Sequence, residues 1–134
     1  MNSPELARKW TTFLGARKDI PHSKDLLEHF NAGTITRICE CGCNSYDLKV
    51  TKEDGLTPLM PARERGGCVL SLAFHIGDGS GSLEFDVFVD AKGYLAGIDV
   101  SCNANSEPVP PESIVIEPPF HIYGPLLQIA EQDS

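Results

Sequence analysis

Three runs of strict alternation decide what this 134-residue chain can fold into. Between 68 and 76 the apolar set is Cys68, Leu70, Leu72, Phe74 and Ile76. Between 83 and 89 it is Leu83, Phe85, Val87 and Val89, and between 94 and 102 it is Tyr94, Ala96, Ile98, Val100 and Cys102. A period of two marks antiparallel strands with one face buried and one face wet. The connectors agree, since residues 77–82 read GDGSGS and can turn on Gly79-Ser80, while Asp90-Ala91-Lys92-Gly93 suits a type I turn. Those turns predict a register in which Phe74 faces Phe85 and Phe85 faces Ile98. A one-residue slip would move the whole apolar set into water, so the assignment of faces is strongly constrained.

Ahead of this sheet the pattern changes to helical. Ser3-Pro4-Glu5 reads as an N-cap with proline at the first helical position, and Leu6, Trp10, Phe13 and Leu14 then share one face until Gly15. A second helix is expected from about Pro21 to Phe30, burying Leu26, Leu27 and Phe30, with His22 and His29 on its surface. Residues 34–39 and 45–51 are β-rich and suggest a hairpin or bent strand. Residues 52–67 read as a long mobile surface loop. After Cys102 the prolines of VPPE (109–112) and EPPF (117–120) allow only an edge segment around Ile114–Ile116, followed by an irregular C-terminus. The expected fold is α+β: a helical part (1–33), an antiparallel sheet (34–116) arranged as a meander of about four to six strands, and an irregular tail (117–134), all in one domain.

Composition bounds the function. The formal net charge is −8 and it is unevenly placed. Residues 1–65 hold 10 Lys/Arg against 9 Asp/Glu, whereas residues 66–134 hold one base, Lys92, against 10 acids. Nucleic-acid binding needs a basic footprint, which this chain lacks, whereas a basic partner protein would be steered toward it. No apolar run suits a signal peptide or a membrane span, and five cysteines without export signals point to reduced thiols in the cytoplasm.

Residues 38–46, ICECGCNSY, place Cys39, Cys41 and Cys43 at alternate positions around Gly42. In a flat strand such sulfurs stand about 7 Å apart, too far for one tetrahedral zinc, so metal binding needs a kink at Gly42. The predicted register sets Cys68 opposite Ala91 and Cys102 opposite Gly81, about 30 Å apart at 3.3 Å per residue, so at most one could complete such a site. Buried packing of the thiols is the expected role, with no cofactor required and zinc at Cys39, Cys41 and Cys43 as the alternative.

On the wet face the same register sets His75 opposite Glu84 and Glu84 opposite Asp99. With Asp86, Phe88 and Leu95 beside them, these residues mix acid with apolar surface, as interaction patches do. No nucleophile elbow, P-loop or dinucleotide fingerprint is present. The corner Cys39-Glu40-Cys41-Gly42-Cys43-Asn44-Ser45 and the segments Leu83–Asp90 and Ile98–Ser101 resemble small uncharacterised bacterial proteins with a C-x-C-G-C-x-S/T motif. That resemblance implies architecture only. The charge imbalance and the lack of catalytic motifs point to a non-catalytic domain that binds a basic protein partner through Glu84, Asp86, Phe88, Leu95, Asp99 and His75. The acidic hairpin and proline-rich tail also resemble bacterial toxin-immunity proteins, which implies a basic toxin as that partner.

Overall fold

The first helix, α1 (Pro4–Gly15), starts as its capping chemistry dictates, with the Ser3 hydroxyl accepting from the Leu6 amide. A computed structural model describes residues 2–40, 43–77, 79, 81–103, 109 and 115–132. Helix α2 (Lys24–Asn31) follows, then strands β1 (Gly33–Ile38), β2 (Tyr46–Val50), β3 (Gly67–Ile76), β4 (Gly81–Val89), β5 (Leu95–Cys102) and β6 (Val115–Tyr123), and finally α3 (Pro125–Gln132). The strands form one six-stranded sheet in the order β1-β2-β5-β4-β3-β6, with every described pairing antiparallel. The fold is therefore α+β, with the two N-terminal helices packed on an antiparallel sheet.

Those helices bury one face of the sheet. Trp10 meets Phe85 with ring centroids 5.4 Å apart, Phe13 meets Phe74 at 5.7 Å, and Phe30 meets Tyr46 at 5.7 Å. Phe74, Phe85, Leu83, Val87, Ile98 and Val100 are fully buried, and Leu126 of α3 belongs to the same core. Each such side chain contributes about 1.5–3 kcal/mol of burial, so this layer supplies most of the favourable term. Arg17, just past α1, lies over the rings of Phe74 (4.7 Å) and Phe13 (5.5 Å). It also donates to Asp19 at 2.8 Å and to both oxygens of Glu117 at 2.7 and 2.8 Å, joining α1 to β6.

Most faces are as predicted, the exceptions being Cys68, which is exposed beside buried Val69, and Leu95, which is buried, but the partners across the strands are not. Phe74 pairs with Leu83, not Phe85, and Phe85 pairs with Val100, not Ile98. Both displacements are two residues long and have identifiable causes. Ile76 pairs with Gly81, so the β3–β4 loop takes four residues rather than two. At the next turn Gly93 donates to Asp90 O at 3.0 Å and has φ +92°, the left-handed residue that makes a three-residue connection. A bulge between Phe88 and Val89 adds one more residue of shift. An even displacement leaves an inward side chain inward, which is why the face assignment survives away from the bulges at Cys68/Leu70 and Phe88/Val89.

Three further expectations are corrected. The segment 52–67 is not a free loop, because Leu59 and Met60 are buried and the amides of Leu59 and Arg63 each donate at 2.8 Å, to Gly93 O and Ala91 O. Residues 117–132 are not irregular: β6 runs through Pro118-Pro119 to Tyr123, and α3 follows, while 133 and 134 lie outside the described residues. Pro118 and Pro119 lie where the β3–β6 register breaks, between the Ala73–His121 and His75–Ile116 pairs on an edge strand, so no ladder bond is lost to them. Ile114 lies outside the described residues. His29 is not on the surface, being fully buried, while His22 is exposed but precedes α2 with φ 53°.

Candidate functional site

The face of the sheet turned away from α1 and α2 collects the polar residues, and the observed pairing fixes their rows. One row runs from Asp99 to Asp86, Ser71 and Tyr123 across β5, β4, β3 and β6. The next runs Ser101, Glu84, Ala73, His121, and the third runs Ser82, His75, Ile116. His75 therefore opposes Ser82 rather than Glu84, and Glu84 opposes Ser101 rather than Asp99. The opposed carboxylates are instead Asp86 and Asp99. Leu95 is not on this face at all, because the bulge at Phe88/Val89 turns it inward, where it is fully buried. Phe88, paired with Gly97 and Cys68, stays on the open face and is half-buried.

Each carboxylate has a different environment. Glu84 accepts from Ser82 Oγ at 3.1 Å and Ser101 Oγ at 2.9 Å, and Asp86 accepts from Ser71 Oγ. Desolvation and the negative charges of Asp86 and Asp47 hold the Asp99 carboxyl above its ordinary range, while Arg37 and the Ser45 hydroxyl partly oppose this. His75 takes no part in this cluster. Its ring stacks on Phe120, centroids 4.2 Å apart.

The carboxylate pair and the cysteine corner, separate in sequence, meet in space. A cleft of about 320 Å³ is lined by Arg37, Cys39, Cys43, Ser45, Asp86 and Asp99, together with Val100 and Ser101. Strand β1 ends at Ile38, and the two ends of the corner are joined by Cys39 N–H to Ser45 O at 3.0 Å and clasped by Asn2, whose Nδ2 donates to Cys39 O (3.1 Å) and Ser45 O (2.8 Å). Cys43 is buried and Cys39 half-buried; Cys41 lies outside the described residues. Among the described residues no three His, Cys, Asp or Glu side chains converge as a metal site would require. Cys68 pairs with Phe88 and Cys102 with Leu83, five positions apart along β4. Their separation along the strand is therefore about 17 Å at 3.3 Å per residue, not 30 Å, and still too far for shared ligation.

Ser45 ends the C-x-C-G-C-x-S/T motif in the sequence, but its central bonding role shows only in the structure. Its Oγ accepts the Val100 amide at 2.9 Å and lies 3.3 Å from Val100 O, extending the short β2–β5 ladder by one rung. The motif and a hydroxyl next to a strand start mark the position without showing what it bonds. In Ser45→Ala the amide of fully buried Val100 loses its acceptor, and a loss of about 1–3 kcal/mol is expected in urea unfolding. A loss below about 0.5 kcal/mol would show that the rung is dispensable.

Comparisons with protein-family models, curated proteins and solved structures find no match. Among the described residues no helix is long and apolar enough to cross a membrane. The functional reading therefore rests on this face alone.

Proposed function

We propose that the chain is a cytoplasmic, non-catalytic protein-binding domain that engages a basic partner through the open face of its sheet, as an immunity protein neutralises a basic toxin. One observation carries this reading. Strands β3 to β6 hold four carboxylates, Glu84, Asp86, Asp99 and Glu117, and no lysine or arginine, and two of these acids stand directly opposed. Glu117 is already neutralised by Arg17, leaving Glu84, Asp86 and Asp99 for a partner. Like charges opposed across strands destabilise a sheet by a few tenths to about 1 kcal/mol, and a cation from outside relieves that repulsion. The same field steers a basic protein toward the face and raises its on-rate. Cys39, Cys43 and Ser45 form one wall of the contact surface in this reading, and the corner fixes the position of Asp99.

The test combines binding with stability. Converting Glu84, Asp86 and Asp99 to Gln, Asn and Asn should weaken capture of a high-pI partner from the native host by at least about tenfold. The free variant should meanwhile gain about 0.5–1 kcal/mol of unfolding free energy, because the repulsion is gone. The sign with pH follows from the raised Asp99 carboxyl: the folded state binds its proton first, so this group adds stability as pH falls toward its unfolded value of 3.8. Recovery of no basic partner, or equal recovery by the variant, would remove the proposal.

A further inference from the structure

The open face carries two stripes of different chemistry, and we infer that it receives an amphipathic basic helix of the partner, laid along the strands. Its cationic edge would sit over β4 and β5 and its apolar edge over β6. This inference rests on the basic-partner reading and specifies the shape of what binds.

The first stripe is the carboxylate set Glu84, Asp86 and Asp99. The second is apolar: Ile116, Phe120 and Tyr123 are 39%, 52% and 64% exposed, and all three lie on β6. Ile116 pairs with His75 and Tyr123 with Ser71, while Phe120 stacks on His75, so the stripe belongs to the same face as the acids. Between the stripes β3 offers the short side chains of Ser71 and Ala73, with His75 at one end held against the Phe120 ring. From β5 to β6 is three strand spacings, about 14 Å, against a helix diameter of about 10–12 Å. One helix therefore covers the floor and reaches both flanks.

Other occupants fit less well. Strand addition needs a straight edge, yet β1 breaks register between Ile35 and Arg37, and β6 breaks opposite Ala73/His75, where two prolines lack amide protons. A second copy of the chain would bring a net charge of −8 against the same carboxylates, and nucleic acid would meet the same repulsion. A helix with lysine or arginine on one edge and aliphatic residues beside them satisfies both stripes at once. Binding of this kind reads residues at helical spacing as anchors.

Two synthetic peptides of about 18 residues (five turns) and identical Lys, Leu and Ala content test this. In one, Lys and Leu form adjacent helical stripes; in the other the order is scrambled. With the full chain, fluorescence anisotropy should show the striped peptide binding at least about tenfold more tightly, a difference of 1.4 kcal/mol or more. Phe120→Ser with Tyr123→Ser should abolish that advantage, Phe120→Leu should keep most of it, and circular dichroism of the variants should be unchanged because both rings are exposed. Asp86→Asn with Asp99→Asn should weaken both peptides. Equal affinity of the two peptides, an advantage that survives the serine variants, or no binding of either would overturn the helix inference. Equal affinity that still falls with the amide variants leaves the basic-partner reading standing, whereas peptide binding indifferent to those variants counts against that reading too.

Discussion

Replacing His29 with alanine is expected to remove about 3–5 kcal/mol of unfolding free energy, a large share of the 5–15 kcal/mol that holds a typical domain together. The imidazole is fully buried, with Nε2 2.7 Å from Thr57 O and Nδ1 3.0 Å from the Leu95 amide. Thr57 offers only an acceptor and Leu95 only a donor, so the ring is the neutral tautomer with its proton on Nε2. Alanine leaves a cavity and two unpaired backbone groups. His29→Gln restores the donor to Thr57 and should recover about half of the loss, as read by urea unfolding at pH 7.5. A loss below about 1.5 kcal/mol for the alanine variant would contradict this account.

The same geometry sets a pH dependence. Burial lowers the His29 pKa from its ordinary 6.5, with the Thr57 carbonyl and the charges of Asp25, Glu28 and Asp90 offsetting part of the shift. The unfolded chain therefore binds a proton near pH 6.5 while the folded chain refuses it. Stability contributed by the neutral ring is complete above that pH and declines as pH falls toward the folded value, by at most about 1.4 kcal/mol per pH unit. Unfolding titrations between pH 7.5 and 5 should show this slope in the wild type and lack it in His29→Gln.

Gly93→Ala should cost about 2–4 kcal/mol, the second-largest single effect. A Cβ there would stand 1.9 Å from Met60 O, a backbone atom that no rotamer change can clear, and φ is +92°. Accommodating it pushes the 58–63 segment off the sheet and breaks the 2.8 Å bond from Leu59 N–H to Gly93 O. Gly55→Ala is the matched control, since its φ of +76° is similar but nothing lies within 4 Å of the new carbon. It should cost about 1 kcal/mol of backbone strain alone. Thermal melts compare the two, and equal losses would mean that conformational strain, not the clash with Met60, sets the cost at Gly93.

Both predictions act on the segment that sequence alone reads as mobile. Its prolines, glycines and charges are loop chemistry, and the local signal is correct about secondary structure. What pins it comes from elsewhere: a helix histidine, a turn glycine and the pockets that receive Leu59 and Met60. A histidine on a short helix carries no mark of burial, so His29 is legible only once Thr57 and Leu95 are beside it.

The sheet shows the opposite balance. Alternation identified the inward face of β4 and most of those of β3 and β5, failing at Cys68, which is exposed where the β3 ladder bulges and Val69 is buried in its place. It could not identify cross-strand partners, which depend on loop lengths and bulges that glycine-rich turns leave open. The acidic row was therefore right in face and wrong in membership: Asp86 opposes Asp99, Glu84 has serine neighbours, His75 stacks on Phe120, and Leu95 turns into the core. The meeting of the cysteine corner with Asp86 and Asp99 lay beyond any local pattern, since β2 reaches β5 only through long-range pairing.

The ion pair between Arg17 and Glu117 spans 100 positions. During synthesis every residue between them must emerge before the end of the first helix finds its mate. Until then the Phe74 ring keeps one side wet and β3 presents an unmatched row of amides and carbonyls to its surroundings. Closure of this body is thus a late, non-local step, and the interval before it is when the growing polypeptide is most exposed to aggregation.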